Sequence, residues 1–323
     1  MKALCKQLQM QLLNHVEKNS NSIETLFIGG GTPSTIKHEE YKKMFEIIKP
    51  FINENTQITT EANPNSATKQ WLEGMYELGV KRVSFGVQSF NDKKLKTLGR
   101  AHSSNRAIKA IQNASCIGFK DINCDIIYAV EGDSIETLKQ DFDLIATLPI
   151  THVSAYSLTI EKHTKFFNQR DIKIDDEILS QEIFSYLNNI GFNQYEVSNF
   201  AKDKKYQSRH NIGYWKHKEY LGIGCGAVGY MNKTRYYTHK ELEKYIEDPL
   251  FIEVEKLSDN QIKVEKVLLG FRTFLGVDLN LFTANEKVKI NELIFEKKLD
   301  IINNKVINSN FLLADEIALY ILD

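Results

Sequence analysis

The chain has 323 residues, 42% hydrophobic and 26% charged, with 41 basic and 42 acidic side chains and a formal net charge of -1. That length buries a sizeable core and allows one large domain with a smaller one, while the balanced charge leaves no footprint for nucleic acid or an anionic membrane surface. No apolar run approaches the ~18 residues needed to cross a bilayer, and Leu4, Leu8 and Leu12 lie at helical spacing in an N-terminus unlike a signal peptide.

Cys5, Cys116, Cys124 and Cys225 are far apart and form no ligand pair. The pattern is that of a cytoplasmic protein with free, mostly buried thiols. A helix is predicted from Lys2 to about Glu17, followed by a strand at Thr25–Ile28 that runs into Gly29-Gly30-Gly31. Apolar runs and amphipathic segments then alternate. Strands are expected at Gln57–Thr60, Arg82–Val87, Asn123–Ile127 and His152–Leu158, and helices at Glu39–Ile48, Thr68–Leu78, Asn105–Ile117 and Ile135–Thr147. Such alternation predicts parallel βαβ units.

Beyond residue 165 the pattern loosens. A helix is expected over Asp176–Asn189, then a strand in "QYEVSNFA", a basic polar stretch ending "HNIGYWKHKEY", and the glycine-rich "LGIGCGAVGY". From Asp259 helices lead to two apolar runs separated by Asn303-Asn304, a tight-turn signal, and a closing helix. This predicts a small winged-helix-like unit, read as an accessory domain because basic residues are not in excess. No repeat or low-complexity segment interrupts the chain.

Ligands of parallel α/β folds sit beyond the carboxyl ends of the strands. There the strands deliver Gly29 to Thr32, Glu61, Gln88 with Arg100 after it, Asp125 and Thr159, the last four strand-end residues falling 27, 37 and 34 residues apart. A helix cap or backbone bond accounts for any one of them; four in the same relative place beside three glycines point to a ligand. The glycines are no P-loop, which requires a lysine. Nor are they a dinucleotide fingerprint, because Pro33 delays the helix and no acidic residue ends the next strand at a ribose position. Bare backbone could instead grip a zwitterionic amino acid, with the Glu61 and Asp125 carboxylates accepting from amino or ribose hydroxyl groups.

"FIGGGTPS", "TTEANPNS", "VSFGVQSF", "LGRAH", "INCDIIY", "QYEVSNFA" and "HNIGYWKHKEYLGIGCGAVGY" together resemble the HemW haem-chaperone family, relatives of the oxygen-independent coproporphyrinogen III oxidases of HemN type. The resemblance runs nearly end to end. It implies a partial (β/α)6 barrel of the radical S-adenosylmethionine (SAM) type over residues 1–199, an HNxxYW segment with a glycine-rich connection over 200–245, and a HemN-like C-terminal domain over 246–323. It also implies that Gly30, Gly31, Thr32, Glu61, Gln88, Arg100, Asp125 and Thr159 contact SAM, and that His210 binds haem iron for transfer to an acceptor protein. A neutral imidazole suits axial ligation, and Tyr214 and Trp215 could stack on a porphyrin. A histidine bonded within a polar turn is the competing reading. Cys225 is a second candidate ligand, with a small buried residue packed between glycines as the favoured reading, and His102, His217 and His239 are expected to be surface or structural.

The family's Cys-x3-Cys-x2-Cys loop, whose thiolates hold a [4Fe–4S] cluster, has no counterpart among these four cysteines. The barrel is therefore expected to lack its first strand, Met1 to be an internal methionine of a longer protein, and the chain as given not to cleave SAM. Loss of that strand would bare the backbone of Thr25–Ile28. A second departure is "YAVEGD", where the family has Gly-Leu-Pro after the tyrosine, close to Asp125. Three functions follow: a haem chaperone, favoured by HNxxYW; a coproporphyrinogen III oxidase-like enzyme of porphyrin biosynthesis, disfavoured by the missing loop; or a SAM- or nucleotide-binding relic. No catalytic residue is assigned.

Overall fold

The computed structural model describes residues 1–16, 23–160, 172–174 and 177–323. It divides into two compact units, one of Thr25–Glu40 and Gln57–Gln207, the other of Met1–Glu24, Tyr41–Thr56 and Ser208–Asp323. Helix α1 (Lys2–His15) opens the chain and packs on α2 (Lys42–Ile48) in the second of these. The predicted ends at Glu17 and Asp176 lie outside the described residues.

The first unit is built on a sheet of β1 (Thr25–Ile28), β2 (Gln57–Ala62), β3 (Arg82–Gln88), β4 (Asp121–Tyr128), β5 (His152–Ser157), β6 (Asn193–Gln194) and β7 (Asn199–Ala201). Its spatial order is β1-β2-β3-β4-β5-β7-β6, with β1 to β5 parallel and β7 antiparallel to both neighbours. Sequential parallel order means that every crossover steps the same way, so right-handed connections place their helices on one face. A doubly wound sheet would reverse direction part-way.

The connecting helices α3 (Lys69–Glu77), α4 (Asp92–Thr97), α5 (Ser104–Ile117), α6 (Ile135–Thr147) and α7 (Glu177–Asn189) touch as neighbours, α3 with α5 and α6 with α7. Each of α3 to α6 starts at a polar N-cap whose side chain accepts from a backbone N–H: Thr68, Asn91, Ser103 and Ser134.

Side chains alternate across the strands. Val83, Phe85, Val87, Ile122, Cys124, Ile126, Val153 and Ala155 are buried together on one face, the apolar side that amphipathic helices cover. The opposite face carries Thr59, Glu61, Arg82, Ser84, Asn123, Asp125, His152 and Ser154, brought side by side by the pairings Glu61 with Ser84, Ser84 with Asn123, Asn123 with His152, and Asp125 with Ser154. Only a cleft, or a lumen, tolerates such a polar face on a parallel sheet.

Two expectations change. "QYEVSNFA" forms the hairpin of β6 and β7 rather than one strand, because Tyr195 to Ser198 make the turn between them. The segment expected to be helical from Glu39 begins as a 3-10 turn, His38–Tyr41, and becomes α-helical only at Lys42.

In the second unit α8 (Arg209–Trp215) precedes the antiparallel sheet of β8 (Val228–Met231), β9 (Thr234–Tyr237) and β10 (Glu253–Lys256), with α9 (Leu242–Glu247) before β10. Helix α10 (Asp259–Phe271), β11 (Val277–Asp278), α11 (Ala284–Phe295), β12 (Leu299–Ile302), β13 (Lys305–Asn308) and α12 (Ala314–Leu322) complete it around Val267, Phe271, Leu299, Val306 and Ile317. Asn303 and Asn304 make the tight turn of the β12–β13 hairpin, both at positive φ, 50° and 61°.

Gln7 of α1 is fully buried and holds the glycine-rich segment. Its Oε1 accepts from the Gly224 N–H at 2.8 Å and the Tyr245 hydroxyl at 2.7 Å, and its Nε2 donates to the Gly222 carbonyl at 3.4 Å. Gln7→Leu keeps the bulk but leaves two donors buried without acceptors. Urea denaturation should show a loss of about 2–4 kcal/mol, part of it recovered when Tyr245→Phe is added.

Candidate functional site

The glycine loop follows from its backbone. Gly30 and Gly31 have φ of 76° and 125°, and a Cβ on either would meet nothing within 4 Å, so both face open space in conformations that favour glycine. A Cβ on Gly29 would lie 3.0 Å from the Glu61 carboxylate carbon. Ser34, in the Pro33–Thr35 turn, accepts from the Asn63 N–H at 2.9 Å and bonds the Ser66 hydroxyl at 2.6 Å, tying this loop to the one after β2.

Burial and the neighbouring Asp125 carboxylate raise the Glu61 pKa, against the influence of the Gly30 N–H. Burial raises the Asp125 pKa too. Opposing this are the Asn123 amide, whose Nδ2 donates at 2.7 Å, the hydroxyls of Ser154 and Ser84, the latter 3.3 Å from both carboxylate oxygens, and the Arg82 charge. Two carboxylates so close repel unless a donor or cation comes between them.

Arg100 supplies one charge. Helix α4 ends on Gly99 at φ 65°, and the Arg100 N–H donates back to the Leu95 carbonyl at 2.8 Å, turning the chain so that the guanidinium comes within the electrostatic reach of Asp125. Burial lowers the arginine's pKa and Asp125 opposes that shift. Its Nε is buried with no hydrogen-bond partner, so a donor is left for an anionic group.

Gln88 ends β3 after a bulge, buried and at a φ of 71° that non-glycine residues rarely adopt. Thr32 and Thr159 are exposed at the same strand ends, and no described side-chain bond links either to the carboxylates. Electrostatic influence thus links Gly30, Glu61, Arg100 and Asp125. An open glycine cradle, two acceptor carboxylates and an orphaned arginine donor fit the amino, carboxylate and hydroxyl groups of SAM.

Sequence reasoning missed the rest of the polar face. His152 is buried between Asn123 and Tyr195, and Arg82 pairs with Asp121 and donates to the Tyr206 carbonyl at 2.9 Å. Tyr156 has its pKa raised by burial and by Asp125 and Glu196. The signal was present as period-two alternation, in "RVSF", "NCDI" and "HVSA", where a strand covered on both faces reads as continuously apolar.

His210 belongs to the other unit. It lies one turn before Tyr214 on α8, with its Nε2 3.1 Å from the Tyr214 hydroxyl. The Tyr214 ring meets His210 edge-on at 4.8 Å and Tyr220 at 4.6 Å. Burial pushes its pKa down to about 4, so the imidazole is neutral at physiological pH. Trp215 is half-buried, with its indole N–H lacking a partner. A neutral imidazole in an aromatic setting fits haem iron.

The expected burial of Cys225 is overturned: it is exposed, its thiol bonded to the His239 and Lys240 carbonyls, because the glycines around it hold the backbone in a surface turn. Cys116 is exposed as well, leaving only Cys5 and Cys124 buried. Among the described residues no group of three His, Cys, Asp or Glu side chains could hold a metal ion. His102 is structural, with Nε2 2.9 Å from the Val87 carbonyl; His217 bonds Glu265 and His239 stacks on Phe251.

Two predictions follow from local geometry. Ala129, where the resembling family has glycine, sits at φ 62°; Ala129→Gly should stabilise the protein by about 1 kcal/mol in urea melts. Glu196, in the β6–β7 turn, is fully buried with neither carboxylate oxygen in a hydrogen bond. The nearby Asn199 side chain and the Val197, Ser198 and Asn199 amides temper the effect of burial without reaching bonding geometry, and its pKa rises from 4.5 to about 7. The folded state therefore binds more protons between those values, and stability falls as pH rises through them. Relative to Glu196→Gln, wild type should lose about 3 kcal/mol between pH 4.5 and 7, read by urea denaturation at each pH.

Comparison with known proteins agrees with this geometry. A profile of the Radical SAM superfamily matches residues 9–145. The haem chaperone HemW of Lactococcus lactis is 32% identical over 297 residues, covering 88% of this chain and 78% of that protein, and the HemW of Bacillus subtilis is 31% identical over 292 residues, covering 85% and 76%. Among solved structures, the Escherichia coli coproporphyrinogen III oxidase HemN, a radical SAM enzyme, superposes with a TM-score of 0.78 at 19% identity over 99% of this chain and 83% of its own. The chain belongs to the HemW family of HemN-like radical SAM proteins and has their α/β fold.

Proposed function

We propose that this protein is a haem chaperone that binds haem through His210 and passes it to an acceptor protein, with SAM held at the strand ends of the other unit. The observation that carries the reading is His210: half-buried, with its pKa lowered to about 4, in a HNxxYW segment and 3.1 Å from the Tyr214 hydroxyl. A protonated imidazole has no lone pair for iron, so desolvation keeps the ligand competent well below neutral pH. The Tyr214 hydroxyl lies against Nε2 and must turn aside for iron to bind there.

In the proposed SAM site Gly30 and Gly31 leave their backbone open, Thr32, Gln88 and Thr159 line the strand ends, Glu61 and Asp125 accept from donor groups, and Arg100 meets the carboxylate. Bound SAM supplies a sulfonium and an amino acid moiety, which these residues orient. The sheet reads as a radical-SAM-type partial (β/α)6 barrel in which β1 stands at the second strand's position, with domain limits near 199 and 245. No step is assigned through a cluster.

Titrating the purified chain with haem should produce a ligand-field spectrum that His210→Ala abolishes or shifts. With a histidine pKa of about 4, haem affinity should stay level from pH 8 to 6 and fall as pH approaches 4. A spectrum unchanged by His210→Ala removes this residue as the ligand.

A further inference from the structure

A line of hydrogen bonds crosses the polar face of the sheet, and the direction of its hydrogens can be deduced from one end. The Asn123 Nδ2 donates to Asp125 Oδ1 at 2.7 Å and lies 2.7 Å from the Ser84 hydroxyl. The Asn123 Oδ1 then faces His152 Nδ1 at 2.6 Å and requires an N–H there. Burial, reinforced by Arg82, makes a charged His152 unfavourable, so its Nε2 carries no hydrogen. The Tyr195 hydroxyl, 2.7 Å from Nε2, must therefore donate to it. Ser154 also donates to Asn123 Oδ1, at 3.2 Å. Each hydrogen from Tyr195 through His152 and Asn123 points toward Asp125.

We infer that His152 and Tyr195 are positioning residues for Asp125, holding the Asn123 amide in the one orientation that keeps this carboxylate ionised and aimed at its ligand. The inference rests on reading the strand-end cluster as a SAM site. Both residues are buried, at 1% and 2% exposure, so neither reaches a ligand; their influence passes through Asn123. Turning that amide over would place its carbonyl oxygen against the carboxylate and its N–H₂ against the His152 N–H, two repulsive contacts in place of two bonds. Among the described hydrogen bonds the short one, from Asn123, goes to Asp125 Oδ1, while the Ser84 hydroxyl lies 3.3 Å from both oxygens. The short bond thus occupies one oxygen and leaves the other for a donor on the ligand. A buried histidine that merely fills space would serve as well without this directionality.

The test uses the full chain, with two readouts on wild type, His152→Phe, His152→Gln and Tyr195→Phe. One is the titration of the Asp125 carboxyl by carbon NMR, which needs no ligand; the other is SAM affinity by calorimetry. Glu61 on β2, Arg82 on β3, Arg100 after α4 and Tyr156 on β5 also face Asp125 and are the same in all four proteins. In His152→Phe the Asp125 titration should move up by about one pH unit and SAM affinity should fall about tenfold. Glutamine, which can both donate to Asn123 and accept from Tyr195, should restore part of each, and Tyr195→Phe should give a smaller shift of the same sign. An unmoved Asp125 titration in a folded His152→Phe protein overturns the inference. If that variant does not fold, Tyr195→Phe, which deletes one oxygen, decides. A wild-type chain that ignores SAM while the Asp125 titration still responds sinks the SAM reading and leaves the positioning role standing.

Discussion

Everything at the strand ends depends on one electrostatic constraint: Glu61 and Asp125 share the polar face of one sheet, near enough to raise the Glu61 pKa. Like charges in a desolvated place are stable only when each has its own donors. The Gly30 N–H acts on Glu61, and Asp125 takes the Asn123 amide and the Ser84 hydroxyl and is favoured by the Arg82 charge. The glycine loop is thus part of the charge compensation as well as a shape.

That compensation reaches deep into the sheet. Asn123 cannot serve Asp125 without something to hold its carbonyl side, and His152 and Ser154 do so. At the strand bottoms Arg82 pairs with Asp121, contributing a buried positive charge that favours ionised Asp125 and opposes protonated His152. Polar groups that would each be costly alone form a connected set, and the orphans that remain are informative. Arg100 Nε is buried without a partner on a guanidinium that senses the Asp125 charge, and Glu196 lies near Tyr156. The unit holding His210 follows different physics. There aromatic burial alone keeps an imidazole neutral, with Tyr214 as its polar neighbour.

Much of the architecture was legible because local signals agreed. Ile135–Thr147 begins at Ser134 with a capping box and was readable to the residue, as was Thr25–Ile28, which ends where the glycines begin. The Asn303-Asn304 turn could be read because asparagine tolerates the positive φ it requires. Reading failed where tertiary context decided. "QYEVSNFA" is uniform enough to pass for one strand, yet a turn at Tyr195 to Ser198 folds it back. Cys225, between glycines, looked like packing and is a surface thiol.

The sequence by itself determined the βα alternation, the residues delivered to the strand ends and the family motifs, because periodicity, caps and glycine φ act over a few residues. Tertiary structure alone decided which of those strand-end residues share one electrostatic environment, that Arg100 keeps a buried donor without a partner, and that Asn123, His152 and Tyr195 are joined by hydrogen bonds. These depend on register between strands 30 or more residues apart in sequence, such as Ser84 beside Asn123, and on burial, which turns ordinary side chains into groups that must find partners.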